Sequence, residues 1–169
     1  MDPNNRPQSE FVETVIEINR ISKKTKGGNQ IRFSALVVVG DKKGKVGVGL
    51  DKAPNVVSGI RKAITQARKN MISIPMRGST IPYEVRIKYG AARLLLKPAP
   101  SGSGVVAGGP LRAVFESAGV HDIVAKILGS NNKTTNLYAA MKALMQLSDW
   151  RQTQEARRAN RKGSKNVNT

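Results

Sequence analysis

Three lysines and two glycines are crowded into residues 22–28, in the order Ser-Lys-Lys-Thr-Lys-Gly-Gly. Ammonium groups bind phosphate oxygens, and glycines let the backbone come close enough for its N–H groups to join them. A-form RNA hides its major-groove base edges, so a protein reads it through phosphates and 2′-hydroxyls. The segment therefore predicts RNA contacts at Ser22, Lys23, Lys24, Lys26, Gly27 and Gly28, and a solvated hairpin tip is the alternative.

Further basic residues flank that segment. A second basic turn covers residues 42–45, and the helical segment that follows carries its basic residues on two stripes of its surface. A solvated face explains the helix almost as well as RNA does, so we do not expect all of these side chains to touch RNA. The predicted contacts are Arg20, Arg32, Lys42, Lys43, Lys45, Lys52, Arg61, Arg68 and Lys69.

A glycine-rich segment, residues 102–107, superficially matches the dinucleotide-binding fingerprint, and Asp122 lies near the expected distance for a ribose contact. That fingerprint must follow a strand and open a helix, whereas prolines precede this segment and Pro110 delays the next helix. We expect instead a loop that touches RNA through the backbone amides of Gly102 and Gly104, or one that only packs.

His121 and Asp122 are adjacent and Ser117 lies nearby, and acid–base or nucleophilic catalysis uses these residue types. Adjacency in sequence is not geometry, however, and a catalytic triad also needs an oxyanion site. The chain has no cysteine and a single histidine, so thiolate chemistry is impossible and a transition-metal site is not expected. We therefore predict no enzymatic activity, no cofactor and no metal.

The charge balance points to a polyanionic partner. The chain has 29 lysines and arginines against 11 acidic residues, a net charge of +18, and such an excess repels itself unless it is neutralised. Residues 20–69 hold thirteen basic and two acidic residues, a net +11, so the first half is the better candidate for the main nucleic-acid face. A membrane surface is the weaker alternative, because no apolar run approaches the about 20 residues of a spanning helix. Residues 1–10 match neither a secretory signal nor a transit peptide, so we expect a cytoplasmic protein.

Hydrophobic periodicity predicts the elements that position the first basic segment. Apolar residues alternate with Glu13 and Glu17 over residues 12–18, which is typical of a half-buried strand with its acidic residues on the solvent face. Residues 31–39 are rich in β-branched and aromatic types and predict the return strand. These two strands form a hairpin around the lysines and glycines.

A turn over residues 40–44 leads to a short third strand over residues 45–49. Pro54 suits the first turn of a helix whose apolar positions recur at helical spacing as far as Met71. The first domain is therefore predicted to be a three-stranded antiparallel sheet plus a helix.

The second half predicts an α+β arrangement. It contains strands over residues 83–89, 92–96 and 123–128, a glycine- and proline-rich loop over 98–110 and a short helix over 111–118. Gly119 can end that helix in a left-handed conformation, and Thr134 or Thr135 can cap a last helix.

Composition divides the chain into four segments. We predict a disordered N-terminus over 1–9, a first domain over 10–75, a second domain over 80–148 and a basic, disordered tail over 149–169. The tail has almost no apolar residues that could offset its ordering entropy.

A long set of motifs in these elements resembles bacterial small-subunit ribosomal protein number five. The motifs are GNQIRFSALVVVGD (28–41), GKVGVG (44–49), IRKA (60–63), ARKNM (67–71), TIP (80–82), LLKP (95–98), GVVAGG (104–109), RAV (112–114), AGV (118–120) and LGSN (128–131). The resemblance spans roughly residues 10–148, which is far more than one short motif could imitate.

The resemblance implies a double-stranded-RNA-binding-like first domain and a second α+β domain of the left-handed βαβ type. It implies a structural constituent of the small ribosomal subunit that binds ribosomal RNA near the head–body neck, close to the messenger RNA entry. It further implies packing against ribosomal proteins four and eight, a contribution to translational accuracy, and contact of residues 22–28 with RNA beside an aminocyclitol antibiotic site. The matching motifs add Arg112 and Asn131 to the predicted RNA contacts.

Two other classes of protein stay open as alternatives. A free double-stranded-RNA-binding regulator could share the first domain, although the second domain argues against it. A nucleotide-using enzyme could be built on the second domain if the glycine-rich segment bound a phosphate.

Overall fold

The computed structural model describes residues 11–148, which form two four-stranded sheets and three helices. The first half contains β1 (Val12–Thr25), β2 (Gly28–Gly40), β3 (Lys45–Ala53), α1 (Val56–Lys69) and β4 (Ile72–Ser73). The second half contains β5 (Val85–Tyr89), β6 (Ala92–Pro98), β7 (Val105–Val106), α2 (Gly109–Ala118), β8 (Ile123–Ile127) and a last helix, α3, over residues 133–148. The predicted α+β class is confirmed. The segments 1–9 and 149–169, which the sequence predicts to be disordered, lie outside the described residues.

The first sheet has the strand order β1-β2-β3-β4, with each neighbouring pair antiparallel. It confirms the three predicted strands and adds the two-residue strand β4, in which Ile72 pairs with Val46. β1 and β2 are longer than periodicity predicts, because they pair as far as Thr25 and Gly28 and leave only residues 26–27 as a turn. The basic segment 22–28 is therefore mostly strand, whereas the predicted strands end at residue 18 and resume only at residue 31.

A β-bulge in β1 changes which side chains share a face. The register with β2 shifts between Val15 and Glu17, so Glu13 pairs with Val39 while Glu17 pairs with Leu36. A bulge inserts one extra residue and reverses the side-chain alternation beyond it. Glu13 and Glu17 consequently lie on opposite faces of the sheet, whereas simple alternation placed both on the solvent face.

Helix α1 begins two positions later than a proline in its first position would predict. Asn55 is its N-cap, and the Asn55 side chain accepts a hydrogen bond from the Val57 amide at 3.1 Å. Pro54 thus precedes the cap and does not lie in the first turn, and Met71 lies beyond the helix end. The helix approaches the sheet very closely: a Cβ added to Gly49 would lie 2.0 Å from the Ala63 carbonyl oxygen.

The second sheet is mixed, with the order β5-β6-β8-β7. β7 runs parallel to β8, and α2 connects them, which gives a βαβ unit whose handedness stays a prediction. β7 lies inside the segment predicted to be loop, since its two residues gain strand geometry only by pairing with Ile123 and Val124.

The ends of the helices in the second half follow recognisable capping chemistry. Gly119 adopts φ 82° at the C-terminus of α2, as predicted. At α3 the prediction of a threonine cap is wrong: Asn132 precedes the helix, and its Oδ1 accepts a hydrogen bond from the Thr135 amide at 3.3 Å.

The first sheet is buried on both of its faces. One face packs Ala35, Val37 and Val39 against Ala63 and Ala67 of α1. Side chains from the other face join a hydrophobic core with α2, α3 and the second sheet, among them Leu36, Val38, Val46, Val48, Val114, Phe115 and Leu144. The predicted halves therefore share one core, and their limits at 10–75 and 80–148 stay predictions.

Candidate nucleic-acid interface

Beyond the packed part of the first sheet, β1 and β2 continue as a two-stranded ribbon, residues 18–33, here called the hairpin arm. Its residues are exposed on both faces apart from the half-buried Ile21 and Phe33. The arm has no acidic residue and five exposed basic ones, which are Arg20, Lys23, Lys24, Lys26 and Arg32. The structure thus brings these five together with the predicted contacts Ser22, Gly27 and Gly28.

The cations of the arm are divided between its two faces. Directly paired residues of antiparallel strands share a face, so the pairs Ile21–Arg32 and Lys23–Gln30 define one of them. These four residues and Lys52, at the base of the arm, line a shallow groove. Lys24 and Arg20 belong to the opposite face, and the arm therefore presents positive charge on both sides.

The second basic turn lies at the other end of the first sheet. The 13 residues of β2 lead from the tip of the arm to this turn, a distance of roughly 40 Å at 3.3 Å per residue. The turn is docked on the C-terminus of α2, because the Lys42 amide donates to the Ser117 carbonyl and the Gly44 amide to the Ala118 carbonyl, both at 2.9 Å. The Lys42 and Lys43 side chains remain exposed, and their charges also complement the negative end of the α2 dipole.

Helix α1 presents its basic residues in two different ways. A shallow groove on its outer side is lined by Asp51, Arg61, Lys62, Thr65, Gln66 and Lys69. Arg68 points elsewhere: its Nη2 lies 2.8 Å from Glu13 Oε1 and its guanidinium 5.4 Å from the centroid of the Phe11 ring. The sequence predicts an RNA contact for Arg68. Its side chain also ties α1 to β1 and remains 45% exposed, so the RNA contact stays a prediction.

The glycine-rich loop before β7 is held by a buried carboxylate. Asp122 is 4% exposed, and its Oδ1 accepts hydrogen bonds from the amides of Gly102 at 2.9 Å and Gly104 at 3.0 Å. The hydrogen bond from the Ser79 hydroxyl, followed by those from the loop amides, lowers the pKa of Asp122 below its ordinary value.

The loop geometry bears on two of the sequence interpretations. The amides of Gly102 and Gly104, which would bind a dinucleotide phosphate, already bind the Asp122 carboxylate. The negative charge of that carboxylate would repel a phosphate, so the glycine-rich segment is not a nucleotide site. The same hydrogen bonds mean that the amides of Gly102 and Gly104 are not free for RNA, and they favour the interpretation of a packed loop.

The remaining predicted residues lie apart from the arm. Arg112 is exposed and pairs with Glu116 one turn along α2, at 2.9 Å. Asn131 is exposed in the loop before α3, and His121 is exposed beside the buried Asp122. Among residues 11–148, no three histidine, aspartate or glutamate side chains meet in a way that would hold a metal ion.

Two family models match the chain. Residues 11–75 match "Ribosomal protein S5, N-terminal domain" and residues 87–157 match "Ribosomal protein S5, C-terminal domain". The chain belongs to the ribosomal protein S5 family. Members of this family are structural proteins of the small ribosomal subunit that bind ribosomal RNA and are not enzymes.

Membership of the S5 family accounts for the charge and for both halves of the fold. The antiparallel sheet with α1 falls within the first match, and most of the mixed sheet with α2 and α3 falls within the second. A free regulator that shared only the first domain would not explain the second match. In the described part of the chain, no helix is both long and apolar enough to cross a membrane.

Sequence reasoning missed one basic surface of this S5-family protein. The outward face of the second sheet carries five exposed basic residues, which are Arg86, Lys88, Arg93, Lys97 and Lys126. The signal was present as strict alternation in Val85-Arg86-Ile87-Lys88, but only the pairing of β5, β6 and β8 shows that these cations share a face.

Proposed function

We propose that the hairpin arm is the principal RNA contact of this small-subunit protein. The observation that carries the proposal is a ribbon with five exposed cations, no acidic residue and no core beneath it. A two-stranded ribbon is at best marginally stable alone in water, and this one exposes Ile18 and Ile31 at 42% and 39%. Folded RNA supplies both the negative charge and the packing surface that the arm lacks.

Two further surfaces are proposed as secondary contacts. Lys42, Lys43 and Lys45 lie at the opposite end of the first sheet, so one RNA element that contacts the tip of the arm would have to extend roughly 40 Å to reach them. Arg61 and Lys69 line the groove on α1, and Lys52 lines a separate groove at the base of the arm. Arg112, Asn131, Gly102 and Gly104 stay proposals with weaker support, because Arg112 has an acidic partner and the two glycine amides are occupied.

The finer placement within the ribosome is also proposed. The protein would lie near the head–body neck and the messenger RNA entry, pack against ribosomal proteins four and eight, and contribute to translational accuracy. Family membership supports these assignments. Cross-linking of assembled small subunits, followed by mass spectrometry, tests the two neighbours, since cross-links to other proteins alone would contradict them.

Sedimentation tests the function itself. Full-length chain carrying a small epitope tag is expressed, and the lysate is separated on a sucrose gradient. We expect the tagged chain to run with the small subunit and with whole ribosomes, as a ribosomal protein in the cytoplasm must. A chain that stays at the top of the gradient, while small subunits run without it, would contradict the proposal.

A further inference from the structure

The second sheet leaves one face uncovered by any described element. Its inner face carries Leu94, Leu96 and Ile123, which pack in one core with residues of α2 and α3. The outer face is built from the alternate residues of β5, β6 and β8, together with Val106 of β7. Because both helices lie on the inner side, the outer face is open across all four strands.

Cations of this open face lie directly opposite or close to one another on neighbouring strands. Lys88 of β5 lies directly opposite Arg93 of β6, and like charges at that register destabilise a sheet unless an anion lies between them. The next row places Lys126 opposite Leu95, with Arg86 on the far side of Leu95. Positive charge thus continues across three neighbouring strands.

The open face has too little negative charge of its own to balance these cations. Its one acidic residue, Glu84, pairs with Arg86 at 3.0 Å and with Lys97 at 3.4 Å. Within residues 11–148, Lys88, Arg93 and Lys126 have no acidic partner within salt-bridge distance. Three cations that have no acidic partner in the described part of the chain therefore lie together on this face of the sheet.

We propose that the open face of the second sheet, with Lys88, Arg93 and Lys126 at its centre, binds the sugar–phosphate backbone of RNA. This proposal rests on the ribosomal RNA binding of the family and adds a second surface to the hairpin arm. Val106 and Val124, exposed at 55% and 39%, flank the cations and would pack against ribose.

Two other interpretations fit the face less well. A merely solvated surface normally mixes both signs of charge. Lysine on an edge strand discourages unwanted pairing and could account for Lys88 on β5, but Arg93 and Lys126 lie on the interior strands β6 and β8. A protein partner is disfavoured because lysine is depleted in protein–protein interfaces, whereas phosphate contacts are made by lysine and arginine.

The test compares three variants of the full-length chain for binding to small-subunit ribosomal RNA over a range of salt concentrations. The face variant combines Lys88→Gln, Arg93→Gln and Lys126→Gln. The control combines Arg77→Gln, Lys133→Gln and Lys142→Gln, which removes the same charge from exposed positions outside the proposed RNA surfaces. The arm variant combines Lys23→Ala and Lys26→Ala. Circular dichroism and urea unfolding verify that each variant is folded.

We expect the face variant to lower the slope of log K against log salt by roughly 2 to 3 relative to the control, at about 0.9 for each phosphate that is no longer neutralised. Equal slopes for the face variant and the control, with a reduced slope for the arm variant, would overturn the proposal and leave ribosomal RNA binding intact. Wild-type chain that shows no salt-dependent binding at all would overturn ribosomal RNA binding, and this proposal with it.

Lysine acylation read by mass spectrometry separates RNA from a protein partner. Naked ribosomal RNA should protect the amines of Lys88 and Lys126 from acylation and leave Lys142 reactive. Protection of Lys88 and Lys126 in assembled small subunits, without protection by the RNA alone, would mean that another protein covers the face and would overturn the proposal.

Discussion

Glu13 and Glu17 lie four residues apart on β1 but point to opposite faces of the first sheet, because a bulge separates them. Glu13 pairs with Arg68 of α1 at 2.8 Å, and Glu17 pairs with Lys133 at the start of α3 at 3.2 Å. The edge strand is thereby connected to the helix on one side of the sheet and to the second half of the chain on the other. The arm that continues from β1 therefore projects from a base fixed on both faces.

Variants of the Arg68–Glu13 ion pair test whether Arg68 stabilises the folded protein or contacts RNA. We expect Arg68→Ala and Glu13→Gln each to lower the free energy of unfolding by about 0.5 to 1 kcal/mol, and the double variant to lose little more than either one. The salt slope of RNA binding should stay that of wild type in Arg68→Ala. A slope that falls by about 0.9 would instead return Arg68 to the RNA contacts.

The arm lysines should account for part of the ionic component of RNA binding. Lys23→Ala combined with Lys26→Ala is expected to weaken binding and to flatten its salt dependence, by about 0.9 in slope for each phosphate that these lysines neutralise. The matched control, Arg77→Ala with Lys142→Ala, removes the same charge at exposed positions outside the proposed RNA surfaces. An arm variant whose slope equals that of the control would mean that the arm is merely solvated.

Gly40 lies where the first sheet meets α2, and a side chain there has no room. A Cβ added to Gly40 would lie 2.1 Å from the Ser117 carbonyl oxygen, so Gly40→Ala must push the sheet and α2 apart. We expect a loss of about 3 kcal/mol in the free energy of unfolding, measured in urea. Gly27→Ala, where an added Cβ meets nothing within 4 Å, is the control and should stay within about 0.5 kcal/mol of wild type. A small effect of Gly40→Ala would show that the two halves can separate freely.

Ile60 tests the packing of α1. It is half-buried against the cluster formed by Ala35, Val37, Val39, Ala63 and Ala67, so Ile60→Ala should cost about 2 kcal/mol, at the low end for such a truncation. Val57→Ala, on the same helix at 54% exposure, should change stability by less than about 0.5 kcal/mol. Thermal or urea unfolding of both variants distinguishes the buried side of α1 from its exposed side, and equal losses would contradict this packing.

Asp122 should make the stability of the protein depend on acid pH. Hydrogen bonds from Ser79 and from the loop amides hold its pKa below the ordinary value of 3.8, so the folded state releases this proton more readily than the unfolded chain. The stabilisation is therefore complete above the ordinary value and is lost as pH falls through the lowered pKa. The free energy of unfolding should exceed that of Asp122→Asn near neutral pH, and the difference should shrink toward pH 2. A difference that does not change with pH would contradict this role of the carboxylate.

Much of the architecture follows from signals that are local in the chain. The alternation around β1, the β-branched residues of β2 and the helical spacing of α1 each depend on neighbours within a few residues, so they could be interpreted without a fold. The same is true of Gly119, whose left-handed conformation ends α2. The charge excess and the long motifs of residues 28–131 were sufficient to predict a ribosomal RNA-binding protein of this family.

Other features depend on partners that are distant in sequence. β7 is a strand only because β8 lies beside it, and the loop before it is fixed by Asp122, 18 residues beyond Gly104. Arg68 resembles its basic neighbours on α1 until Glu13, 55 residues earlier, is placed beside it.

Residue types and short-range periodicity thus determined which segments become strands and helices, that the surface is strongly basic, and that a polyanion must be its partner. The tertiary structure alone decided which cations stay free, which are consumed by internal pairs, and which meet on the open face of the second sheet. The physical reason is that hydrogen bonds and ion pairs depend on distances of about 3 Å between atoms, and strand register and helix docking set those distances only when the whole chain is folded.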